Sequence, residues 1–289
     1  MSRLTTIAPA KVNLTLAVLA RRADGYHEIT SLVTFAAAGD RLALELGSTL
    51  DLGVEGPTAA MTGPKEGNLV LKAGRALAER IERLKLGKFY LTKELPAGAG
   101  LGGGSSDAAA ALRLIAQAND ISIDDPRIVE AARATGADVP VCLDPRARLM
   151  HGTGEILSAP IDLPKVDAVL VFPDAPLSTA DVFGNFTLVA GPRRRMRYGE
   201  GEIPAGRDKL IGYLNQEAND LELAARLTAP EISEAKTLLE ESGEALLVRM
   251  SGSGSAFFAL FENAKLAKRA AAKIAKRKPK WWVRATTLG

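Results

Sequence analysis

A glycine-rich loop between Pro96 and Asp107 is the segment whose residue types point most directly to chemistry. Five glycines fall between positions 98 and 104, and two serines follow them. Glycine loses the most backbone entropy on folding, so this density is costly in a connection that only has to be short. It is useful where several backbone N–H groups must approach one ligand, and a helix after the loop adds the positive end of its dipole. The loop therefore predicts a phosphate site, with a tight turn as the alternative.

The loop does not match the two common nucleotide-binding motifs. No Gly-Lys-Ser/Thr sequence ends it, as a Walker A motif requires, and no acidic strand-end residue follows at the distance of the dinucleotide fingerprint. Ser105 and Ser106 can offer hydroxyl groups to phosphate oxygens or to Mg²⁺. We expect Asp107 in the first turn of the following helix.

Two other chemically suggestive features have ordinary structural explanations. The Gly/Ser run at 251–255 lies between two apolar segments, and the residues alone favour a hairpin turn. Cys142 is the chain's one cysteine, and with two histidines it cannot complete a Cys/His zinc site. A buried small hydrophobe is the commoner use of such a cysteine, so we assign it no catalytic role.

Composition limits the function classes. The chain has 289 residues, of which 47% are hydrophobic, and no apolar run reaches the roughly 18 residues that a membrane-spanning helix needs. We expect two packed domains and a soluble protein, and a cytoplasmic location because the N-terminus lacks the pattern of a secretory signal. A net charge of +3 suits anionic substrates but is too small to indicate a nucleic-acid partner.

Hydrophobic periodicity places these motifs on an α+β framework. In the first half it predicts strands at 5–19, 29–35, 41–46 and 88–93, and helices at 68–84, after the glycine loop, and at 127–135. In the second half it predicts the order strand, helix, helix, strand, strand, helix, strand, at 168–172, 209–227, 230–241, 245–250, 256–261, 264–277 and 282–286. That order indicates an antiparallel sheet backed by helices. The composition turns to proline and glycine at 144–164, so we predict two domains, 1–158 and 159–289.

Three segments, in their order along the chain, resemble the three motifs of the GHMP kinase superfamily. They are Pro-Ala-Lys-Val-Asn-Leu at 9–14, the loop at 98–107 and Ser-Gly-Ser-Gly-Ser-Ala at 251–256. The resemblance implies an ATP-dependent phosphotransferase with an N-terminal domain like ribosomal protein S5 domain 2 and a ferredoxin-like C-terminal domain. The nucleotide-binding residues that it implies are Pro96, Gly98, Gly100, Leu101, Gly102, Gly103, Gly104, Ser105 and Ser106.

Four further segments narrow the resemblance to one branch of that superfamily. They lie at 22–32 (with Gly-Tyr-His), 136–140 (Gly-Ala-Asp-Val-Pro), 177–183 and 219–222 (Asn-Asp-Leu-Glu). This branch implies phosphorylation of a hydroxyl group on a cytidine diphosphate-linked methylerythritol, in the non-mevalonate route to isoprenoids. The implied cofactors are ATP and Mg²⁺, with no protein metal site, no nucleic-acid or membrane partner, and a monomer or weak homodimer.

The resemblance assigns the catalytic roles to Lys11 and Asp138. Phosphoryl transfer needs the acceptor oxygen aligned with the γ-phosphorus and the negative charge neutralised. Asp138 can take the proton of the acceptor hydroxyl while Lys11 faces the phosphoryl oxygens. On the residues alone, a lysine extending from a strand and an aspartate capping a turn before Pro140 is the alternative. Asn13 shares a strand face with Lys11 and is predicted to orient the acceptor.

Tyr26, His27 and Phe183 are the predicted cytidine-binding residues. Aromatic side chains suit the stacking face of a pyrimidine, and the resemblance places all three at the cytidine. Because Tyr26 and His27 follow Asp24-Gly25, a turn signal, a hairpin tip is the alternative.

Three segments have no assigned role in a kinase of this type. The segment at 151–155 resembles a family segment without a clear role, and the basic runs Arg193 to Arg197 and Lys276 to Lys280 fit a solvated surface and the charged end of a helix. Three other functions are possible on this sequence. The first is a GHMP kinase for another alcohol, such as mevalonate, homoserine or a sugar. The second is an RNA-binding module, suggested by the basic runs and Trp281-Trp282, and the third is a non-catalytic metabolite sensor.

Overall fold

The structure, a computed structural model, describes residues 3–186 and 203–289. The chain divides into two compact units, each assembled from separate stretches. Unit 1 comprises residues 1–11, 39–97 and 102–145, and unit 2 comprises residues 12–38, 98–101 and 146–289. The predicted domain division at 158 and 159 stays a prediction. The basic run from Arg193 to Arg197 lies outside the described residues.

Unit 1 combines a small sheet with helices. Its strands are the second half of β3 (His27–Gly47), β4 (Asp51–Glu55) and β5 (Leu86–Thr92). β5 pairs antiparallel with β3, with Arg41 opposite Thr92, and parallel with β4. The residues up to Lys11 of β1 (Leu4–Asn13) also belong to this unit. The helices of unit 1 are α1 (Leu69–Ala78), α2 (Gly103–Ala118), α3 (Pro126–Thr135) and α4 (Val139–Leu143).

The helix starts in unit 1 follow local capping chemistry. Asn68 accepts a hydrogen bond from the Val70 N–H and begins α1, as predicted. Asp125 accepts from the Arg127 N–H, and Pro126 follows it as the first residue of α3, where its missing N–H costs nothing. α1 ends at Ala78, so the prediction of a helix to residue 84 was too long.

Unit 2 contains an antiparallel sheet covered by helices, as predicted. Its strands β8 (Val166–Phe172), β9 (Ala245–Met250), β10 (Phe257–Phe261) and β11 (Trp282–Leu288) lie in the order β11-β8-β10-β9. All three pairings are antiparallel, with Phe257 opposite both Val171 and Met250. The helices of this unit are α5 (Thr179–Asn185), α6 (Arg207–Leu214), α7 (Glu222–Thr228), α8 (Ser233–Glu240) and α9 (Ala264–Arg277).

The core of unit 2 lies between this sheet and its helices. Its members are buried apolar side chains, among them Val169, Val171, Phe257, Phe261 and Ile274. Burying such side chains is the main stabilising term, at about 25 cal/mol per Å² of apolar surface. Among the described residues, no helix has the combination of length and apolar character needed to cross a membrane.

Two expectations about unit 2 need correction. The helix predicted at 209–227 is two helices, α6 and α7, separated by a turn that contains Asn219. The stretch at 144–164, for which no strand is predicted, contains β6 (Arg148–Gly152), which pairs with β3, and the two-residue strand β7 (Ile156–Leu157). Both strands are short, and glycines end β6 and lie in the turn before β7, which hides the strands from a periodicity analysis.

Candidate active site

In unit 1, Lys11 and Asp138 form an ion pair. The Lys11 Nζ lies 2.8 Å from the Asp138 Oδ2. The lysine side chain is 5% exposed and the aspartate side chain 40% exposed, so one carboxylate face remains accessible. Asp138 is the N-cap residue of α4, yet its side chain makes no capping hydrogen bond. The structure therefore does not support the alternative in which the Asp138 carboxylate only caps a turn.

The start of α2 lies against the Lys11 side chain. Gly102 is the N-cap residue of α2 and has a left-handed conformation with φ of 62°. A Cβ at Gly102 would stand 3.1 Å from the Lys11 Cβ and 3.4 Å from its Cε. The unpaired N–H groups of the first turn of α2, from Gly103 onward, thus begin next to the Lys11 side chain. Such a helix start favours an anionic group.

A second group of charged side chains in unit 1, which we call the Lys93 cluster, consists of Lys93, Asp40 and Asp107. The Lys93 Nζ contacts Oδ2 of both aspartates, at 2.8 Å in the case of Asp107. All three side chains are at most 4% exposed. Asp40 Oδ1 also accepts the backbone N–H groups of Glu94 and Leu95, at 2.6 and 2.8 Å.

The position of Asp107 corrects the expectation that it lies in the first turn of the helix. It is the fifth residue of α2, buried, and its Oδ1 has no hydrogen-bond partner among the described residues. Burial raises the pKa of Asp107 to about 8, although the Lys93 ammonium opposes that change. The Lys93 pKa is raised by the two carboxylates despite the opposing effect of burial.

In unit 2, three segments that are far apart in sequence meet around Ser251. The Ser251 Oγ accepts the backbone N–H of Asn13 at 3.1 Å and donates to the Gly100 carbonyl at 3.1 Å. The Ala256 N–H donates to the Ala99 carbonyl at 2.9 Å. Gly100 has a φ of 76°, and a Cβ there would stand 2.5 Å from the Gly254 carbonyl oxygen. The run at 251–255 does join two strands, but it also packs on the glycine-rich loop.

The Asn13 side chain is partly satisfied within unit 2. Its Nδ2 donates to the Ser31 Oγ at 2.7 Å, and Ser31 in turn donates to the Thr15 carbonyl. Asn13 is 3% exposed, and its Oδ1 has no hydrogen-bond partner among the described residues. A buried acceptor of this kind is costly unless a ligand or water satisfies it. This geometry suits the predicted role in holding a hydroxyl group.

Buried side chains that sequence reasoning missed support this part of unit 2. Asn219 Nδ2 donates to the carbonyls of Met250 and Gly252, at 2.9 and 2.8 Å. Arg249 is buried and donates to the carbonyls of Leu14, Leu214 and Glu217. Burial lowers its pKa to about 10. The family resemblance includes the segment at 219–222 but assigns it no role, and Arg249 belongs to no recognised motif.

The predicted cytidine residues are only partly brought together. The His27 ring stacks on the Phe183 ring, with centroids 4.8 Å apart and an angle of 24°, and it meets Phe186 edge-on. Tyr26 lies in the turn between β2 (Ala17–Arg21) and β3 and is 66% exposed. His27 and Phe183 therefore form a stacked pair, whereas Tyr26 stands apart from it as a solvent-facing ring.

The remaining predicted nucleotide-binding residues divide into buried and accessible positions. Pro96, Leu101 and Ser106 are buried, while Gly98 and Gly104 are exposed and Ser105 is half-buried. Cys142 is fully buried, and burial raises its pKa to about 12, so it stays a thiol. No sequence pattern identifies the Lys93 cluster, because Lys93 directly follows an otherwise ordinary strand.

Comparison with known proteins agrees with the resemblance to GHMP kinases. The model of the GHMP kinases N-terminal domain matches residues 68–144, and that of the GHMP kinases C-terminal domain matches residues 202–280. The fold also matches a crystal structure of a homoserine kinase from Cytophaga hutchinsonii, with a TM-score of 0.71 and 21% identity over 99% of this chain and 94% of that one.

Closer relatives share one name. The chain is 51% identical over 288 residues to the 4-diphosphocytidyl-2-C-methyl-D-erythritol kinase of Azorhizobium caulinodans, covering 100% of both chains. It is 49% identical to the protein of that name from Methylorubrum extorquens, again over 100% of both. A crystal structure of 4-(cytidine 5'-diphospho)-2C-methyl-D-erythritol kinase matches with a TM-score of 0.77 and 34% identity over 99% of both chains. The chain therefore belongs to the 4-diphosphocytidyl-2-C-methyl-D-erythritol kinase family of the GHMP kinases.

Proposed function

We propose that this chain transfers the γ-phosphate of ATP to a hydroxyl group of 4-diphosphocytidyl-2-C-methyl-D-erythritol, giving the 2-phosphate and ADP in the non-mevalonate isoprenoid pathway. The observation that carries the proposal is the full-length identity of about half to relatives with this name. The Lys11–Asp138 pair beside Gly102 supports it, because that geometry suits phosphoryl transfer.

In unit 1, we assign Asp138 and Lys11 to the chemical step. Asp138 accepts the proton of the acceptor hydroxyl as that oxygen forms its bond to the γ-phosphorus and the bond from the γ-phosphorus to the β-phosphate oxygen breaks. Lys11 holds the carboxylate in place through its 2.8 Å contact and places a positive charge beside the start of α2. The N–H groups from Gly103 onward hold phosphate oxygens.

Mg²⁺ fits this part of the molecule as a companion of ATP. It prefers oxygen ligands and usually takes only one or two from protein while phosphates and water supply the rest. Ser106 Oγ is buried without a hydrogen-bond partner among the described residues, and Ser105 offers a second hydroxyl group. When bound, the ion would neutralise charge on the phosphates.

In unit 2, we assign His27, Phe183 and Tyr26 to the cytidine group and Asn13 to the acceptor. The stacked His27–Phe183 pair offers flat surfaces to a pyrimidine. Tyr26, exposed in the turn before β3, offers a third aromatic ring. The unpartnered Oδ1 of Asn13 accepts a hydrogen bond from a hydroxyl group of the methylerythritol.

Release of ADP, measured by a coupled assay, tests the proposal. The chain is supplied with ATP and, separately, with the cytidine diphosphate-linked methylerythritol, mevalonate and homoserine. Rapid ADP release with the first alcohol alone supports the proposal. Faster turnover of either other alcohol would assign the chain to a different GHMP kinase activity.

An RNA-binding module is the candidate from a different class. Such binding depends on phosphate contacts and weakens steeply with salt. Arg269 and Arg277 of α9 are paired with Glu244 and Glu241, and Lys278 contacts Glu234, so part of the basic charge there is already neutralised. We expect no salt-sensitive RNA affinity in a filter-binding titration.

A further inference from the structure

The Lys93 cluster is not used by the mechanism above, yet it holds three ionisable side chains in the interior of unit 1. The Lys93 Nζ contacts both acidic side chains, and none of the three side chains is more than 4% exposed. Removing charged groups from water is costly, and their mutual attraction often fails to recover that cost. A general gain in stability is therefore a poor explanation for keeping them there.

The cluster joins the two ends of the glycine-rich loop. On the entry side, Lys93 follows β5 directly, and Asp40 holds the N–H groups of Glu94 and Leu95. On the exit side, Asp107 belongs to α2 and accepts a hydrogen bond from Lys93 at 2.8 Å. Asp40 itself lies on β3, so the strand anchors both sides.

The first residue of α2 lies directly over the cluster. A Cβ at Gly103 would stand 3.5 Å from the Lys93 Nζ and 3.7 Å from the Asp40 Oδ2. Gly103 is the residue from which the unpaired N–H groups of α2 begin. A shift of Lys93 or of either aspartate would thus move the backbone that faces the phosphates.

We propose that Lys93, Asp40 and Asp107 are positioning residues that hold both ends of the glycine-rich loop in the arrangement that binds the nucleotide phosphates. The proposal rests on the proposed function, because it takes the loop to be the ATP site. Backbone N–H donors that already point at the phosphate position need no reorganisation when the nucleotide binds. A rigid buried cluster that holds the loop would keep these donors in place and so favour binding.

Lys93→Met tests the proposal because it removes the ammonium while nearly preserving the length of the side chain. Calorimetry with MgATP alone, at a temperature well below the unfolding midpoint of the variant, should show the Kd for ATP rising about tenfold or more. The Kd for the cytidine diphosphate-linked methylerythritol should stay within about twofold of the unaltered protein, since a positioning role at the loop is specific to the nucleotide.

Lys236→Met is the matched control. Lys236 is also paired with a carboxylate, that of Glu222, at 2.6 Å, but it lies on α8. We expect it to leave both dissociation constants unchanged. If Lys93→Met does not fold, Asp107→Ala replaces it, because it removes the acceptor that Lys93 uses on α2 and leaves Asp40 in place; the Kd for ATP should again rise selectively.

An unchanged Kd for ATP in a folded variant, or an equal loss of affinity for ATP and for the alcohol, would overturn the positioning role. Failure of the proposed function would look different. In that case the unaltered protein would bind ATP but would not phosphorylate the cytidine alcohol. The Kd for ATP of the variant and of the unaltered protein could still be compared, so the positioning role would still be tested.

Discussion

At the scale of single residues, the proximity of Lys11 to Asp138 was predictable, whereas the Lys93 cluster was not. A lysine and an aspartate in matched motifs can be assigned roles before any coordinates exist, and the structure places their charged atoms 2.8 Å apart. Lys93 and Asp40 carry no such signal, because a charged residue in or next to a strand ordinarily faces water. Only the fold shows that they are buried.

Asp138→Asn should lower kcat by about a thousandfold, the usual range for losing a general base, while the Kd for ATP changes by less than about twofold. The amide keeps the shape of the side chain but cannot take the proton. Turnover from the coupled assay and ATP binding from calorimetry give the two numbers. The exposed Asp124→Asn serves as the control. Turnover close to that of the unaltered protein would remove Asp138 from the role of base.

Phe183→Ala should weaken binding of the cytidine substrate by about three- to tenfold, the equivalent of losing one aromatic stacking contact. The Kd for ATP should not change. Tyr26→Ala should act in the same direction. Leu223, which is exposed on α7, provides a control in Leu223→Ala. If the affinity for ATP fell instead, the His27–Phe183 pair would belong to the nucleotide site.

At the scale of elements, α9 has the predicted bounds, but the strand predicted at 5–19 is two strands, β1 and β2, and the strands predicted at 29–35 and 41–46 are one strand, β3. Another error occurred where side chains from elsewhere in the fold decide the local structure. The break between α6 and α7 contains Asn219, whose side chain bonds the carbonyls of Met250 and Gly252 rather than allowing one long helix. Such contacts leave no trace in local sequence periodicity.

Gly100→Ala should destabilise the protein by about 1–2 kcal/mol from the left-handed backbone alone, and by more from the clash with the Gly254 carbonyl. Gly212→Ala is the control, because a Cβ there meets nothing within 4 Å and the residue lies in α6. It should be neutral or stabilise by about 0.5–1 kcal/mol. Urea unfolding measures both. Equal stability of the two variants would contradict the close packing around Ser251.

The pH dependence of stability should change in Asp107→Asn. The pKa of Asp107 is raised in the folded state to about 8, above its ordinary value of 3.8, so the folded state holds a proton that the unfolded state releases. The corresponding contribution to stability is complete below pH 3.8 and is lost as the pH rises through about 8. Asparagine cannot titrate, so the variant should lose less stability between these limits.

Urea unfolding at intervals from pH 5 to 9 measures this slope, with Asp124→Asn as the control. A slope in Asp107→Asn as steep as in the unaltered protein would show that Asp107 does not hold the proton.

At the scale of the whole molecule, the α+β class and the antiparallel second sheet were predictable from element order, but the composition of the units was not. Each unit is assembled from three separate stretches, and unit 2 takes residues 12–38 and Gly98 to Leu101 of the glycine-rich loop from the first half of the chain. Strand pairing between distant segments decides this, as when β3 pairs with β6. Composition along the sequence can only suggest where to cut the chain into consecutive segments, so it cannot predict units assembled from separate stretches.

Identification of the phosphorylated product tests the central claim most directly. The protein is incubated with MgATP and the cytidine diphosphate-linked methylerythritol, and the products are examined by ³¹P nuclear magnetic resonance and mass spectrometry. We predict one ADP for each alcohol consumed and a new phosphomonoester on the 2-hydroxyl group. ADP accompanied by inorganic phosphate, with the alcohol unchanged, or a phosphate on another hydroxyl group, would contradict the account.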